Sequence, residues 1–153
     1  MTNQTPDNVP DINDWNLLLE GKVVVISGGG SGIGRSISEL FAAHGAVVEI
    51  AEIDAGLAEA AVDGITNAGG KVRAHIVDVC DEDNVAGFRK DVLETHGHID
   101  VLVNNVGDYR PLVRFLDSSP ASWKEMYDIN LHHVFLVTHA FLQSMVDNGG
   151  GTI

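Results

Sequence analysis

Apolar positions along this chain switch between continuous runs and helical spacing. Val23, Val24, Val25 and Ile26 form an unbroken apolar run, which suits a strand buried on both faces. Ser27, Gly28, Gly29, Gly30 and Ser31 then predict a sharp turn. After Gly34, Ile37, Leu40 and Phe41 fall at helical spacing and Gly45 marks a stop. The same cycle recurs. Val47, Val48, Ile50 and Ala51 predict a second strand that ends in Glu52. A helix starts at Asp54 or Ala55, buries Leu57, Ala58, Ala61, Val62 and Ile65, and ends at Gly69-Gly70. Lys71 to Val79 predicts a third strand. A third helix then turns Val85, Phe88, Val92 and Leu93 inward and closes at His96 and Gly97. Ile99 to Val103 predicts a fourth strand, again continuously apolar. Apolar strands alternating with helices predict an α/β fold, a parallel sheet with helices on both faces.

The last element differs. Asp108 to Ser119 reads as a solvated loop, with a substrate-facing role for Tyr109, Arg110 and Arg114 the lesser reading. Ser118 or Ser119 with Pro120 then opens a long helix over residues 120–147. One stripe holds Trp123, Tyr127, Val134, Val137 and Phe141; another holds Met126, Ile129, Leu136, Ala140 and Met145. A helix apolar on two faces is buried on two sides. The sheet supplies one cover; a second chain or a further part of this one supplies the other. Asn130 lies mid-helix in this apolar stretch, where an amide is costly to bury without partners.

Composition narrows the setting. The 153 residues suit one small domain, and 44% apolar content is enough for a core. A formal charge of −13 argues against nucleic acid and anionic membrane surfaces as partners. No stretch approaches the roughly 20 apolar residues of a membrane span. Residues 1–16 are polar, carry Pro6 and Pro10, lack the pattern of a signal peptide, and read as a flexible arm before a body over 17–153. One cysteine, Cys80, cannot form an internal disulfide, so a reducing cytoplasm is expected. Cys80 itself reads as a small filler. His132 and His133 point in different directions, and His139 is too far along for the i, i+4 spacing of helical zinc ligands, so no metal site is expected.

The glycine turn carries the candidate chemistry. A helix that begins in glycines presents unpaired N–H groups and positive dipole charge, and no Cβ keeps a phosphate away. A tight strand-to-helix connection without a ligand is the plain alternative. The spacing Gly28-x-x-x-Gly32-x-Gly34 is not the common dinucleotide fingerprint G-x-G-x-x-G. Gly29 to Ser36 also comes near a P-loop, with Arg35 where lysine belongs. Glu52 separates the two. It ends the next strand at close to the ~20-residue separation of an acid that binds a ribose, which a P-loop protein does not need.

Ser27-Gly28-x-x-x-Gly32-Ile33-Gly34, Asp78-Val79, Asn104-Asn105-Val106-Gly107 and Asn130, in that order, resemble the short-chain dehydrogenase/reductase family from about Leu19 onward. Ser27 replaces the usual threonine, and Val106 the usual alanine. The resemblance implies a Rossmann-like sheet ordered 3-2-1-4, with the chain ending at the start of a fifth strand. It implies cofactor contacts from Ser27, Gly28, Ser31, Gly32, Ile33, Gly34, Glu52, Asp78, Val79, Asn105, Val106 and Gly107. Asp78 would accept from the adenine amino group; capping the third helix is its equal alternative. Asn130 would distort its helix and serve a proton relay; a core asparagine bonding its own backbone is the alternative. The matching helix over 120–147 commonly lies in a dimer interface, so a homo-oligomer is expected.

Cofactor and reaction are read from the same residues. Glu52 would accept from ribose hydroxyls and repel a 2′-phosphate, which favours NAD(H) over NADP(H). The family's catalytic serine and Tyr-x-x-x-Lys pair are not in the sequence: Tyr109 and Tyr127 are followed four residues later by Val113 and Leu131. A tyrosine needs a neighbouring cation to act as proton donor near neutral pH. Three readings stand. The chain is the cofactor part of an NAD-dependent oxidoreductase acting on an alcohol/ketone pair, a non-catalytic NAD-binding module, or an inactive truncated product.

Overall fold

The computed structural model describes residues 18–109 and 113–153. The expected arm over residues 1–16 and Arg110 lie outside them. Four strands form one parallel sheet: β1 (Val23–Ser27), β2 (Val47–Glu52), β3 (Lys71–Ile76) and β4 (Val101–Val103), ordered β3-β2-β1-β4. The register pairs Val25 with Glu49 and Leu102, and Glu49 with Arg73. Beyond β4, Thr152 forms a parallel bridge to Val101, with its amide donating to the Asp100 carbonyl at 3.0 Å. This is the start of the fifth strand that the family pattern implies.

Helices cover both faces, as alternating strands and helices require. On one face, α1 (Gly32–Ala43) and α2 (Ala55–Asn67) bring Ala42, Ala61 and Ile65 onto Val24, Ile26, Val48 and Ile50. Leu19 packs against this cluster from before β1. On the other face, α3 (Glu82–His96) brings Val85, Phe88 and Val92 onto Val23, Val25, Ala51 and Leu102. Val137, Phe141 and Met145 complete that second core from the last helix.

The third and fourth strands are shorter than their apolar runs. β3 stops at Ile76 because β2 stops at Glu52; the Val77 amide donates to the Glu52 carbonyl at 2.9 Å and the chain then turns. Ile99 is fully buried but precedes β4, and the Asp100 amide joins the Val23 carbonyl at 2.8 Å.

The helix expected over 120–147 is not continuous. It consists of α4 (Pro120–Tyr127), a π turn over Asp128–His132, and α5 (His133–Asp147). Ser119 and Ser122 close a capping box at the start of α4. A π turn adds one residue to the helical ladder and so rotates α5 by about 100° against α4. The two expected stripes therefore break at the turn. His133, Val137, Phe141 and Met145 form the buried line of α5, while Trp123 and Tyr127 are exposed. A second apolar face does exist, but Leu131, Phe135, Leu142 and Val146 make it, all exposed.

Candidate functional site

Parallel strands deliver their following loops to one rim, and four of these loops meet there. A cleft of about 500 Å³ is lined by Gly28, Ser31, Glu52, Asp78, Val79 and Asn105 to Asp108, with Ile33 at its edge and Ile129 from the π turn. Ligands in open α/β sheets bind at this carboxyl end of the strands.

The turn after β1 is stitched to the turn after β4. The buried Ser27 hydroxyl accepts from the Asn105 amide at 3.0 Å and the Val106 amide at 3.4 Å. The Asn105 side-chain amide donates to the Ser27 and Gly28 carbonyls at 3.1 and 3.2 Å. The Ser27 and Asn105 side chains thus hold the two turns together. Gly28 has φ +66°, and a Cβ there would lie 3.0 Å from Val106 Cγ2. A Cβ on Gly34 would collide with the Gly28 carbonyl. Ser38, absent from the residues that the sequence singles out, donates from within α1 to the Gly29 and Gly34 carbonyls. Its only signal is a lone hydroxyl on the inward side of a helix, too common to single out.

The N-terminus of α1 faces the cleft without a side-chain cap from Ser31 and without an acidic residue in its first turn. By contrast, Asp54 caps α2 and Asp81 caps α3. An uncapped helix start leaves N–H donors and positive partial charge for an anion. Gly32 has φ +53° with open space around it, and Ile33 beside it is 77% exposed.

Glu52 is 7% exposed, and backbone donors fix its carboxylate. Oε2 accepts from Gly30 at 3.1 Å; Oε1 accepts from Ile53 at 2.9 Å and Asp54 at 3.2 Å. Two carboxylate oxygens offer about four acceptor positions, so capacity remains toward the cleft.

Asp78 does not cap α3; Asp81 does, accepting from the Asn84 amide at 2.8 Å. Asp78 Oδ1 accepts from the Cys80 amide at 2.9 Å and the residue is exposed, while Val79 is 5% exposed beside it. Burial pushes the Cys80 thiol pKa up, and the Asp78 and Asp128 charges push it further, so the thiol is not activated. Among the described residues no group of three or more His, Cys, Asp and Glu is arranged to hold a metal.

Asn130 sits in the π turn and is exposed, not buried as its apolar neighbours suggested. Its Oδ1 accepts from the Asp108 amide at 3.1 Å, and its Nδ2 donates to the carbonyls of Asp108 at 2.8 Å and Met126 at 2.9 Å. It ties the loop after β4 to the distorted helix and also bonds its own helix.

A sequence profile of the short chain dehydrogenase family matches residues 22–153. The chain belongs to the short-chain dehydrogenases. An uncharacterized short-chain type dehydrogenase/reductase of Sinorhizobium fredii is 39% identical over 142 residues, covering 90% of this chain and 55% of that protein. The solved structure of 7α-hydroxysteroid dehydrogenase, complexed with NADH and 7-oxo glycochenodeoxycholic acid, superposes with a TM-score of 0.82 at 35% identity. It covers 90% of this chain and 55% of that one. A metagenomic short-chain oxidoreductase in complex with NADP superposes with a TM-score of 0.80 at 32% identity, over 86% of this chain and 60% of that one. The chain spans about half the length of the short-chain dehydrogenase relatives it matches. Short-chain dehydrogenases are oxidoreductases, and these two solved relatives hold different nicotinamide cofactors. Among the described residues no helix is long and apolar enough to cross a membrane.

Proposed function

We propose that this chain is the cofactor-binding part of an NAD-dependent oxidoreductase that interconverts an alcohol and a ketone. The observation that carries the reading is the Glu52 carboxylate, held by three backbone amides at the rim of the cleft. An anion fixed there accepts hydrogen bonds from ribose hydroxyls and repels a 2′-phosphate.

The remaining residues fit the rest of the cofactor. The uncapped start of α1 over Gly32–Gly34 takes the pyrophosphate, with open space at Gly32, while Gly28, Gly30 and Gly34 let the turn close on Val106, Glu52 and its own backbone. Asp78 and Val79 take the adenine. Asn105, Val106 and Gly107 form the wall for the nicotinamide end. Bound there, the nicotinamide ring supplies or accepts a hydride. Asn130 holds the loop at Asp108 and serves the proton path. The family's proton-donating Tyr-x-x-x-Lys pair is not among these 153 residues, so what these residues supply to the reaction is the cofactor site.

The exposed line Leu131, Phe135, Leu142 and Val146 is the surface we assign to a second copy of the chain. Cys80, free among the described residues, supports a cytoplasmic setting.

Fluorescence titration with NADH and NADPH tests the cofactor reading. NADH binds more tightly than NADPH. Glu52→Arg weakens NADH binding by about tenfold to a hundredfold, the scale of a lost charged hydrogen bond. Equal affinity for both cofactors, unchanged in the variant, would sink the assignment.

A further inference from the structure

His133 opens α5 and is wholly buried, yet neither ring nitrogen makes a hydrogen bond among the described residues. Buried polar atoms are almost always paired, so an imidazole with two orphans calls for an explanation. Its surroundings supply one. Burial holds the His133 pKa below the usual histidine range. The Val106 carbonyl acts the other way without completing a hydrogen bond, and neighbouring His132 opposes a second charge. The groups that bear on its charge are thus the Val106 carbonyl from the loop after β4 and His132 from the π turn before α5; among the described residues no carboxylate bonds it.

Val106 belongs to the cofactor wall. Its amide faces the Ser27 hydroxyl at 3.4 Å, and its Cγ2 lies 3.0 Å from where a Cβ on Gly28 would stand. Movement of Val106 therefore reaches the glycine turn directly. The same seam holds another orphan: Asn104 donates from Nδ2 to Thr138 of α5 at 3.0 Å while its buried Oδ1 has no partner among the described residues. The joint between the wall and α5 is packed tightly but paired incompletely.

We propose that His133 is a proton-sensitive positioning residue behind the cofactor wall. As a neutral ring it lets Asn105 to Gly107 seat against the glycine turn; as an imidazolium it must gain the Val106 carbonyl or water as partner, and either draws that wall off the glycine turn and weakens nicotinamide dinucleotide binding. The inference rests on the reading that this wall binds NAD(H). An imidazolium carries two N–H donors and a positive charge, and this pocket offers one carbonyl and no counter-charge bonded to the ring. The folded-state pKa is depressed, so the unfolded or opened form takes up the proton more readily. The competent wall is therefore favoured above the ordinary histidine pKa of about 6.5 and lost as pH falls below it. Linkage is reciprocal, so bound cofactor must drive the proton off His133 in turn.

NADH affinity from pH 8 to 5.5, together with NMR titration of the His133 ring with and without NADH, tests this. The dissociation constant rises as pH falls, by up to about tenfold per unit for one linked proton. Saturating NADH moves the ring titration to lower pH. His133→Leu removes that slope while leaving whatever the other titrating groups of the site contribute. An identical ring titration with and without NADH would overturn the proposal. So would an unchanged slope in the variant. The ring titration is read on the unaltered chain, so it decides the matter even if the variant does not fold. Absence of NADH binding at pH 8, with His133 neutral, would instead overturn the cofactor reading and this inference with it.

Discussion

At the scale of single residues, the glycine turn is defined by the side chains its members lack. Gly34 approaches the Gly28 carbonyl and the Asn105 amide so closely that no side chain fits between them. The obstacle at the carbonyl is backbone, which cannot rotate away as a flexible side chain does. Gly34→Ala should therefore lower stability by about 1–3 kcal/mol, the usual cost of overpacking. Denaturant unfolding with an unchanged m-value would report it. Wild-type stability in that variant would mean that the turn and the Asn105 loop separate easily. The spacing of these glycines was legible in the sequence because backbone contact leaves a compositional trace. The environment of Asn130 was not. Its neighbours are apolar, but the π turn rotates it outward to bond Asp108.

At the scale of elements, α3 is fastened to the sheet by a buried polar cluster that the periodicity did not reveal. Glu49 lies within the apolar second strand with a 2% exposed side chain. Its carboxylate accepts from His75 at 2.6 Å, His96 at 2.7 Å and Arg73 at 3.0 Å. The His75 ring also meets Phe88 of α3 edge-on, with centroids 4.8 Å apart. These partners come from β3 and from the end of α3, so only the fold assembles them. The trace in the sequence was a lone acid among Val47, Val48, Ile50 and Ala51, with Arg73 and His75 alternating on the next strand.

Burial raises the Glu49 pKa, but the hydrogen bonds from His75, His96 and Arg73 outweigh it and leave the pKa below its ordinary value near 4.5. A depressed carboxylate pKa adds stability that is present above the unfolded value and lost as pH falls through the folded one. Glu49→Gln should cost about 1–3 kcal/mol at pH 7. In urea melts across pH, the gap from wild type should close as pH drops below about 4.5. A gap that stays constant into acid would show that shape, not charge, holds the cluster together.

At the scale of the whole molecule, the two-sided cover was legible because strand-like apolar segments and helical spacing alternate from Val23 to Val103, whereas the strand order was legible only through the resemblance to the short-chain dehydrogenases. The register of the last helix was not, since one extra residue at the π turn leaves composition unchanged while rotating every later side chain. Its consequence is the exposed line Leu131, Phe135, Leu142 and Val146, with Phe135 60% and Val146 61% exposed. Contiguous exposed apolar surface of this kind marks contact sites. Phe135→Glu with Val146→Lys should convert the chain from an oligomer to a monomer in light scattering, with its circular dichroism unchanged. A monomeric wild-type chain at the same concentration would show that this surface does not join two copies.

If the rim formed by the four strand ends is a nicotinamide dinucleotide site, amide NMR of the chain titrated with NADH will map it. Saturable shifts are expected over Gly28–Gly34, at Glu52, at Asp78–Val79 and over Asn105–Gly107, with little change at the Glu49 cluster between the sheet and α3. No saturable shifts, or shifts confined to the second groove, which Val85 and Arg89 of α3 and Leu136 and Gln143 of α5 line, would mean that the rim does not bind the cofactor.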